Sequence, residues 1–134
     1  MATVHSYFSF EGNCREAMNF YRECLGGELV LQTVGESPMA NELPEWMKGY
    51  VVHSTLTLDG FVIMGSDMNN DKLVYGNNIS LLLNCSSEDQ IRQCYERLSQ
   101  GGKKTSLIEE TFWGSLFGQL IDKFGNHWSL NYQT

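Results

Sequence analysis

The chain has 134 residues, 42% of them apolar and 19% charged, with two prolines. That is the size and composition of one folded domain, able to bury about two thirds of its unfolded surface without a disulfide or structural metal, and it excludes a disordered chain. A formal charge of −7, with only nine Lys and Arg, repels a phosphate backbone, so nucleic acid is excluded as a partner.

The amino-terminal stretch "MATVHSYFSF" has neither the basic leader nor the continuous apolar core of a signal peptide. No apolar run reaches the ~20 residues of a membrane span. The expectation is a cytoplasmic chain with no membrane partner. From Thr3 to Phe10 the pattern is strand-like. "EGNCREAMNFYRECLGG" follows with helical marks: Asn13 at the N-cap, Glu16 three residues on, then Ala17, Met18, Tyr21, Cys24 and Leu25 on one face, and a glycine pair as terminator. Three more strand-like runs come next: "ELVLQTV", "YVVHSTLTL" and "FVIMGSD", the last two joined by an Asp59-Gly60 turn. Between the first two of these lies "GESPMANELPEWMKG", holding both prolines and an exposed-looking Met39, Trp46 and Met47, long enough to suggest a lid or a dimer contact, or else a mobile loop with one packed tryptophan.

The second half repeats the plan. "NISLLLN" leads into "SSEDQIRQCYERLSQGG", with Ser86 or Ser87 as cap, Ile91, Cys94, Tyr95 and Leu98 at helical spacing, and again a glycine pair. "KTSLIEE", "SLFGQLID" and "HWSLNYQ" complete it. Each half is thus one βαβββ unit whose helix covers one face of its sheet, and the chain is an internal duplication of α+β class. The four cysteines have no CxxC pairing and are expected to serve as free, small apolar residues.

The strings "CREAMNFYRECLGG", "DGFVIMGSD" and "FWGSLFGQLIDKFGNHWSLN" together resemble the vicinal oxygen chelate superfamily, also called the glyoxalase, bleomycin-resistance and dioxygenase superfamily, and within it the PhnB-like branch. The resemblance covers nearly the whole chain. It implies a single glyoxalase-like domain over residues 1–134, with modules at about 1–70 and 75–134. It also implies curled mixed sheets around a central cavity, and a homodimer. Metal-using members hold a divalent ion with four inward side chains, and the matching positions here are His5, Met64, Asn78 and Ser129. Three of these are a thioether, an amide and a hydroxyl, neutral donors poorly suited to a divalent ion. The expectation is no metal and no other cofactor. His53, His127, Asp67 and Asp122 are the residues that would have to rescue such a site.

Strand parity gives a ligand site that needs no metal. His5, Tyr7 and Ser9 share a face; so do Val62, Met64 and Ser66; Asn78, Ser80 and Leu82; and His127, Ser129 and Asn131. Val4, Phe8, Phe10, Ile79, Leu81, Leu83, Trp128, Leu130 and Tyr132 then point to the helices. Tyr7, Met64, Ser66, Asn78, Ser80 and Ser129 are expected to line a cavity for a small organic molecule, with Trp113 or Phe117 stacking on it. His5 is the candidate proton-transfer group. Three functions stay open: ligand binding without chemistry; an enzyme, either a metal-dependent lyase, isomerase or dioxygenase or a metal-free catalyst using His5; or a purely structural dimerisation module whose cavity is filled by side chains. No phosphate-cradling glycine motif is present. The ubiquinone-methyltransferase label carried by some PhnB-like proteins finds no methyl-donor turn to support it.

Overall fold

A computed structural model describes residues 1–69 and 71–134. It forms two compact units, Met1–Leu73 and Val74–Thr134; the expected end of the first module near residue 70 falls outside the described residues. The first unit runs β1 (Ser6–Ser9), α1 (Cys14–Leu25), β2 (Glu28–Thr33), β3 (Val51–Leu58) and β4 (Phe61–Ser66). The second runs β5 (Leu81–Cys85), α2 (Glu88–Ser99), β6 (Lys103–Glu110), β7 (Ser115–Ile121) and β8 (His127–Gln133). Their sheets have the same order, β1-β4-β3-β2 and β5-β8-β7-β6. In each, the first strand lies parallel to the last and the other pairs are antiparallel. The duplicated βαβββ plan and the α+β class are therefore present in the fold.

Both helices lay an apolar stripe on their own sheet. Cys14, Ala17, Met18, Tyr21 and Cys24 of α1 are buried, as are Ile91, Cys94, Tyr95 and Leu98 of α2, at the i, i+3, i+4, i+7 spacing that puts side chains on one face. The helices start differently. Ser87 caps α2 as expected, accepting from the Gln90 amide at 3.0 Å, while the Gln90 side chain reaches back to the Ser86 amide at 2.7 Å. Asn13 occupies the N-cap of α1 but its side chain caps nothing. Asp67 does that work from beyond β4, its Oδ1 accepting from the amides of Gly12 at 2.8 Å and Cys14 at 3.0 Å. The expected Asn13 cap is thus replaced by a carboxylate, a stronger acceptor for orphan helix-start amides.

The repeated glycine pairs have one steric cause. Gly27 directly precedes Glu28, which pairs with Thr57; Gly102 directly precedes Lys103, which pairs with Ile121. A Cβ on Gly27 would sit 2.6 Å from the Thr57 carbonyl oxygen, and one on Gly102 would collide with the Ile121 carbonyl oxygen. Each helix must turn sharply into an edge strand at the point where its backbone crosses the neighbouring strand's carbonyl. Only glycine leaves room.

Two expectations change. The 35–49 segment is not one open loop. Hydrogen bonds from the Val34 amide to the Tyr50 carbonyl and from Gly35 to Lys48 close its base, and it holds two single 3₁₀ turns, Val34–Glu36 and Glu45–Met47. Trp46 is exposed, as expected, and meets Tyr50 edge-on at 5.6 Å. Val4 and Ile79, expected against the helices, are 95% and 75% exposed, because β1 and β5 begin only at Ser6 and Leu81. Among the described residues, no helix is long and apolar enough to cross a membrane.

Tyr95 ties α2 to the strands that carry the site described next. Its hydroxyl donates to the carbonyls of Ser106 at 2.8 Å and Gln119 at 3.3 Å, where β6 slips register against β7. Burial raises the Tyr95 pKa. The ring lies so close to β7 that a Cβ on Gly118 would be 3.1 Å from it. Tyr95→Phe keeps the ring and loses the bridge, and is expected to cost about 1 kcal/mol. A urea titration with a lower midpoint and an unchanged slope would register that loss; an unshifted midpoint would contradict it.

Candidate ligand site

On the first unit's sheet, register brings Tyr7, Met64, Thr55 and Val30 into one row across the four strands. Tyr7 is 57% exposed, on the face away from α1, while Phe8 packs on Tyr21 of the helix at 5.7 Å. Ser66 is buried, its hydroxyl donating to the Val52 carbonyl at 2.7 Å and accepting from the Met68 amide at 2.9 Å. That hydroxyl is committed to the backbone, which leaves it little capacity for a ligand. His5 is exposed and stands just ahead of β1. His53 shares the open face and meets the Thr55 hydroxyl at 3.1 Å. Tyr7 and Met64 are therefore neighbours here.

The second unit builds a cleft. Asn78, Ser80, Thr105, Gln119 and His127 line a space of about 370 Å³, the lower end of the range for small-molecule sites. At its wall the Ser80 and Ser129 hydroxyls are 2.9 Å apart, and the Gln119 amide donates to Ser129 Oγ at 3.1 Å. Ser129 is 5% exposed, so its own proton needs an acceptor within the protein, and Ser80 Oγ is in reach. The chain of donors then runs from Gln119 through Ser129 to Ser80, leaving the Ser80 proton for whatever occupies the cleft. Of the residues expected from sequence, Asn78 and Ser80 line this cleft and Ser129 backs it.

Trp113 is elsewhere. It lies at the β6–β7 turn, 55% exposed and edge-on to Phe112 at 4.9 Å. Six Cα-to-Cα steps of near-extended chain separate it from Gln119, roughly 20 Å. Phe117 pairs with Asn131, one row along the open face from the Gln119–Ser129 pair. Gln119 and Thr105 were missed by the sequence reading. Gln119 was within reach of it: counting back from the "KFGN" turn, a β7–β8 hairpin that sets Ile121 opposite His127 sets Gln119 opposite Ser129.

The family model described as 3-demethylubiquinone-9 3-methyltransferase matches residues 2–131. The chain belongs to this PhnB-like family of the vicinal oxygen chelate superfamily. It is 33% identical to protein YjdN of Escherichia coli (strain K12), over 93% of this chain and 91% of that protein. Protein PA1353 of Pseudomonas aeruginosa is similar at 32% identity and a TM-score of 0.86, over 99% of this chain and 98% of the other. A PhnB protein from Bacillus cereus is similar at 26% identity and a TM-score of 0.77, over 98% and 99%. A glyoxalase/bleomycin resistance protein/dioxygenase family enzyme from Burkholderia phytofirmans PsJN shares the fold at 11% identity, with a TM-score of 0.64 over 96% and 98%.

The divalent ion of the superfamily's metal enzymes does not fit the donors of this PhnB-like chain. Ser129 is already engaged by Ser80 and Gln119. Both oxygens of Asp67 accept backbone amides, Oδ2 from Val51 at 2.8 Å. Asp122 holds the amides of Phe124 and Asn126 on Oδ1 and the Trp128 indole N–H on Oδ2 at 2.9 Å. Neither rescuing carboxylate is free for an ion. Among the described residues, no three of His, Cys, Asp and Glu gather closely enough to hold one.

Proposed function

We propose that this PhnB-like protein binds a small, uncharged organic molecule bearing a hydrogen-bond acceptor, in the cleft of its second unit and without a metal. The observation that carries this is the Gln119–Ser129–Ser80 chain, which orients a donor into the cleft beside the Asn78 amide. Amides, hydroxyls and one imidazole line the cleft, a set that recognises carbonyl or ether oxygen and gives an anion no counter-charge. The net charge of −7 disfavours anions further. Tyr7 and Met64 belong to this reading as ligand contacts only through the family resemblance, as does the homodimer; a cytoplasmic location is its default. Methyl transfer, the activity in the family's description, calls for a methyl-donor site at a glycine-rich strand–helix turn, whereas the turn into α1 here is Glu11-Gly12-Asn13.

A native mass spectrum of the gently purified full chain tests the proposal. The expected result is a dimer carrying a co-purified organic adduct and no stoichiometric divalent ion. Ser129→Ala or Gln119→Leu is expected to lower adduct occupancy about tenfold in affinity, the worth of one well-placed hydrogen bond, with the fold retained. Where no adduct survives purification, acetamide is the probe, followed by amide shifts at Ser80, Gln119 and Ser129. Neither an adduct nor acetamide shifts confined to those residues would sink ligand binding, and a stoichiometric metal would sink the metal-free part. If His5→Ala abolished turnover of an identified ligand, the enzyme reading would replace it.

A further inference from the structure

The cleft of the second unit differs from a common small-molecule pocket in having almost no apolar side chain open to its occupant. Asn77, Asn78 and Ser80 line it from the run ahead of β5, Thr105 from β6, Gln119 from β7 and His127 from the start of β8. Leu120 and Trp128 also border it, but they pair with each other between the Gln119–Ser129 and Ile121–His127 rows and are 1% and 2% exposed. Alternation turns their side chains to the helix side, so they give the cleft little besides backbone. Among the described residues that line it there is no Lys, Arg, Asp or Glu. Tyr75 stands at one end. Its ring lies against Gly125, where a Cβ would sit 3.2 Å from it, and Tyr75 and Gly125 come two residues before Asn77 and His127 respectively. The ring is 58% exposed. We propose that the ligand of this cleft is a neutral polyhydroxylated ring, a monosaccharide or cyclic polyol, held round its edge by the polar side chains with a C–H face on Tyr75.

This rests on the reading of the cleft as a ligand site and names the class of its ligand. Hydroxyl, amide and imidazole groups can each donate and accept. An occupant that displaces water from six residues bearing such groups must return hydrogen bonds to most of them, because a polar group left bare is costly. A single carbonyl serves one or two of them. Hydroxyls spaced round a ring, each a donor and an acceptor, reach walls on every side, and the Gln119–Ser129–Ser80 chain supplies a donor to one of their oxygens. An apolar ring would find no side chain in the cleft to bury against, and a sugar acid no counter-charge. The faces of a sugar ring are less polar than its hydroxyl edge, and the Tyr75 ring is the apolar surface that one of them needs. The space of about 370 Å³ takes one such ring.

The test follows backbone amide shifts of the full chain in separate titrations with acetamide, myo-inositol, glucose, galactose and glucuronate. The expected result is saturable shifts at Ser80, Gln119 and Ser129 with at least one neutral polyol, binding about tenfold tighter than acetamide, as one further hydrogen bond gives. Glucuronate should bind more weakly than glucose. Tyr75→Ala should weaken the polyol about tenfold and Tyr75→Phe, which keeps the ring, should restore it; the position is exposed, so both variants fold. Acetamide shifts with no polyol binding tighter than acetamide would overturn the polyol and leave the ligand reading standing, whereas silence from acetamide and every polyol would sink both. Glucuronate binding more tightly than glucose, or a Tyr75→Ala chain that holds the polyol as the parent does, would also overturn the proposal.

Discussion

Gly102→Ala is expected to destabilise the chain by about 3 kcal/mol, which lowers the thermal midpoint by roughly 10 °C in a protein of this size. The new Cβ would meet only backbone: the Ile121 carbonyl oxygen, then the Asp122 carbonyl carbon at 2.8 Å and its Cα at 3.0 Å. Backbone cannot swing aside as a side chain end can. Relief would have to move the start of the Asp122 turn, whose carboxylate holds Phe124, Asn126 and Trp128, and Trp128 is 2% exposed in the core beside the cleft. Gly27→Ala in the first unit should behave alike, with the added cost of φ at +95°. Gly49→Ala is the control, since a Cβ there meets nothing within 4 Å, and it should stay within about 1 kcal/mol of the parent. Denaturant titrations of all three decide the matter; a Gly102→Ala midpoint matching that of Gly49→Ala would show that the crossing is not tight.

That steric crossing marks how much of this molecule was legible from its sequence. The glycine pairs showed where the helices end because positive-φ turns and close crossings write themselves as glycine, and the helical stripes from Ala17 to Cys24 and from Ile91 to Leu98 carried the core. The strand faces were read correctly where ladders persist, as at Phe8 and Ser129, and wrongly where they do not, as at Val4 and Ile79. Parity holds only inside a paired strand. The candidate site was half legible. Ser129 follows from alternation along a paired strand, and Asn78 and Ser80 lie ahead of β5, where the same count misplaced Ile79, whereas Gln119 depends on a cross-strand pairing and Thr105 on a register slip in β6. Trp113 stands at the β6–β7 turn, away from the Gln119 cleft; an aromatic in a turn carries no sign of which end of the sheet it joins. Long-range side-chain bonds leave no local trace: nothing near Asn13 announces that Asp67, 54 positions on, will cap its helix.

Asp67→Ala should cost still more, about 4 kcal/mol, because one buried carboxylate serves three backbone amides from three places in the first unit. Gly12 and Cys14 donate to Oδ1 and Val51 donates to Oδ2, at 2.8, 3.0 and 2.8 Å. Asp67 is itself 5% exposed. Its removal strips the turn into α1, the first turn of that helix and the head of β3 of their acceptor together. Each donor left unpaired costs about 1–3 kcal/mol, less whatever water can enter to recover. Asp67→Asn keeps the shape and one acceptor oxygen but turns an NH₂ toward an amide donor, so it should lose about 2 kcal/mol. The order parent, Asn, Ala in unfolding midpoint therefore separates hydrogen bonding from packing, which would leave the Asn variant near the parent. Amide exchange localises the effect: Cys14 and Val51 should lose protection in both variants, while the α2 amides, capped locally by Ser87, report the second unit. If Cys14 and Val51 keep their protection in Asp67→Ala, water has replaced the carboxylate and the capping role assigned to Asp67 fails.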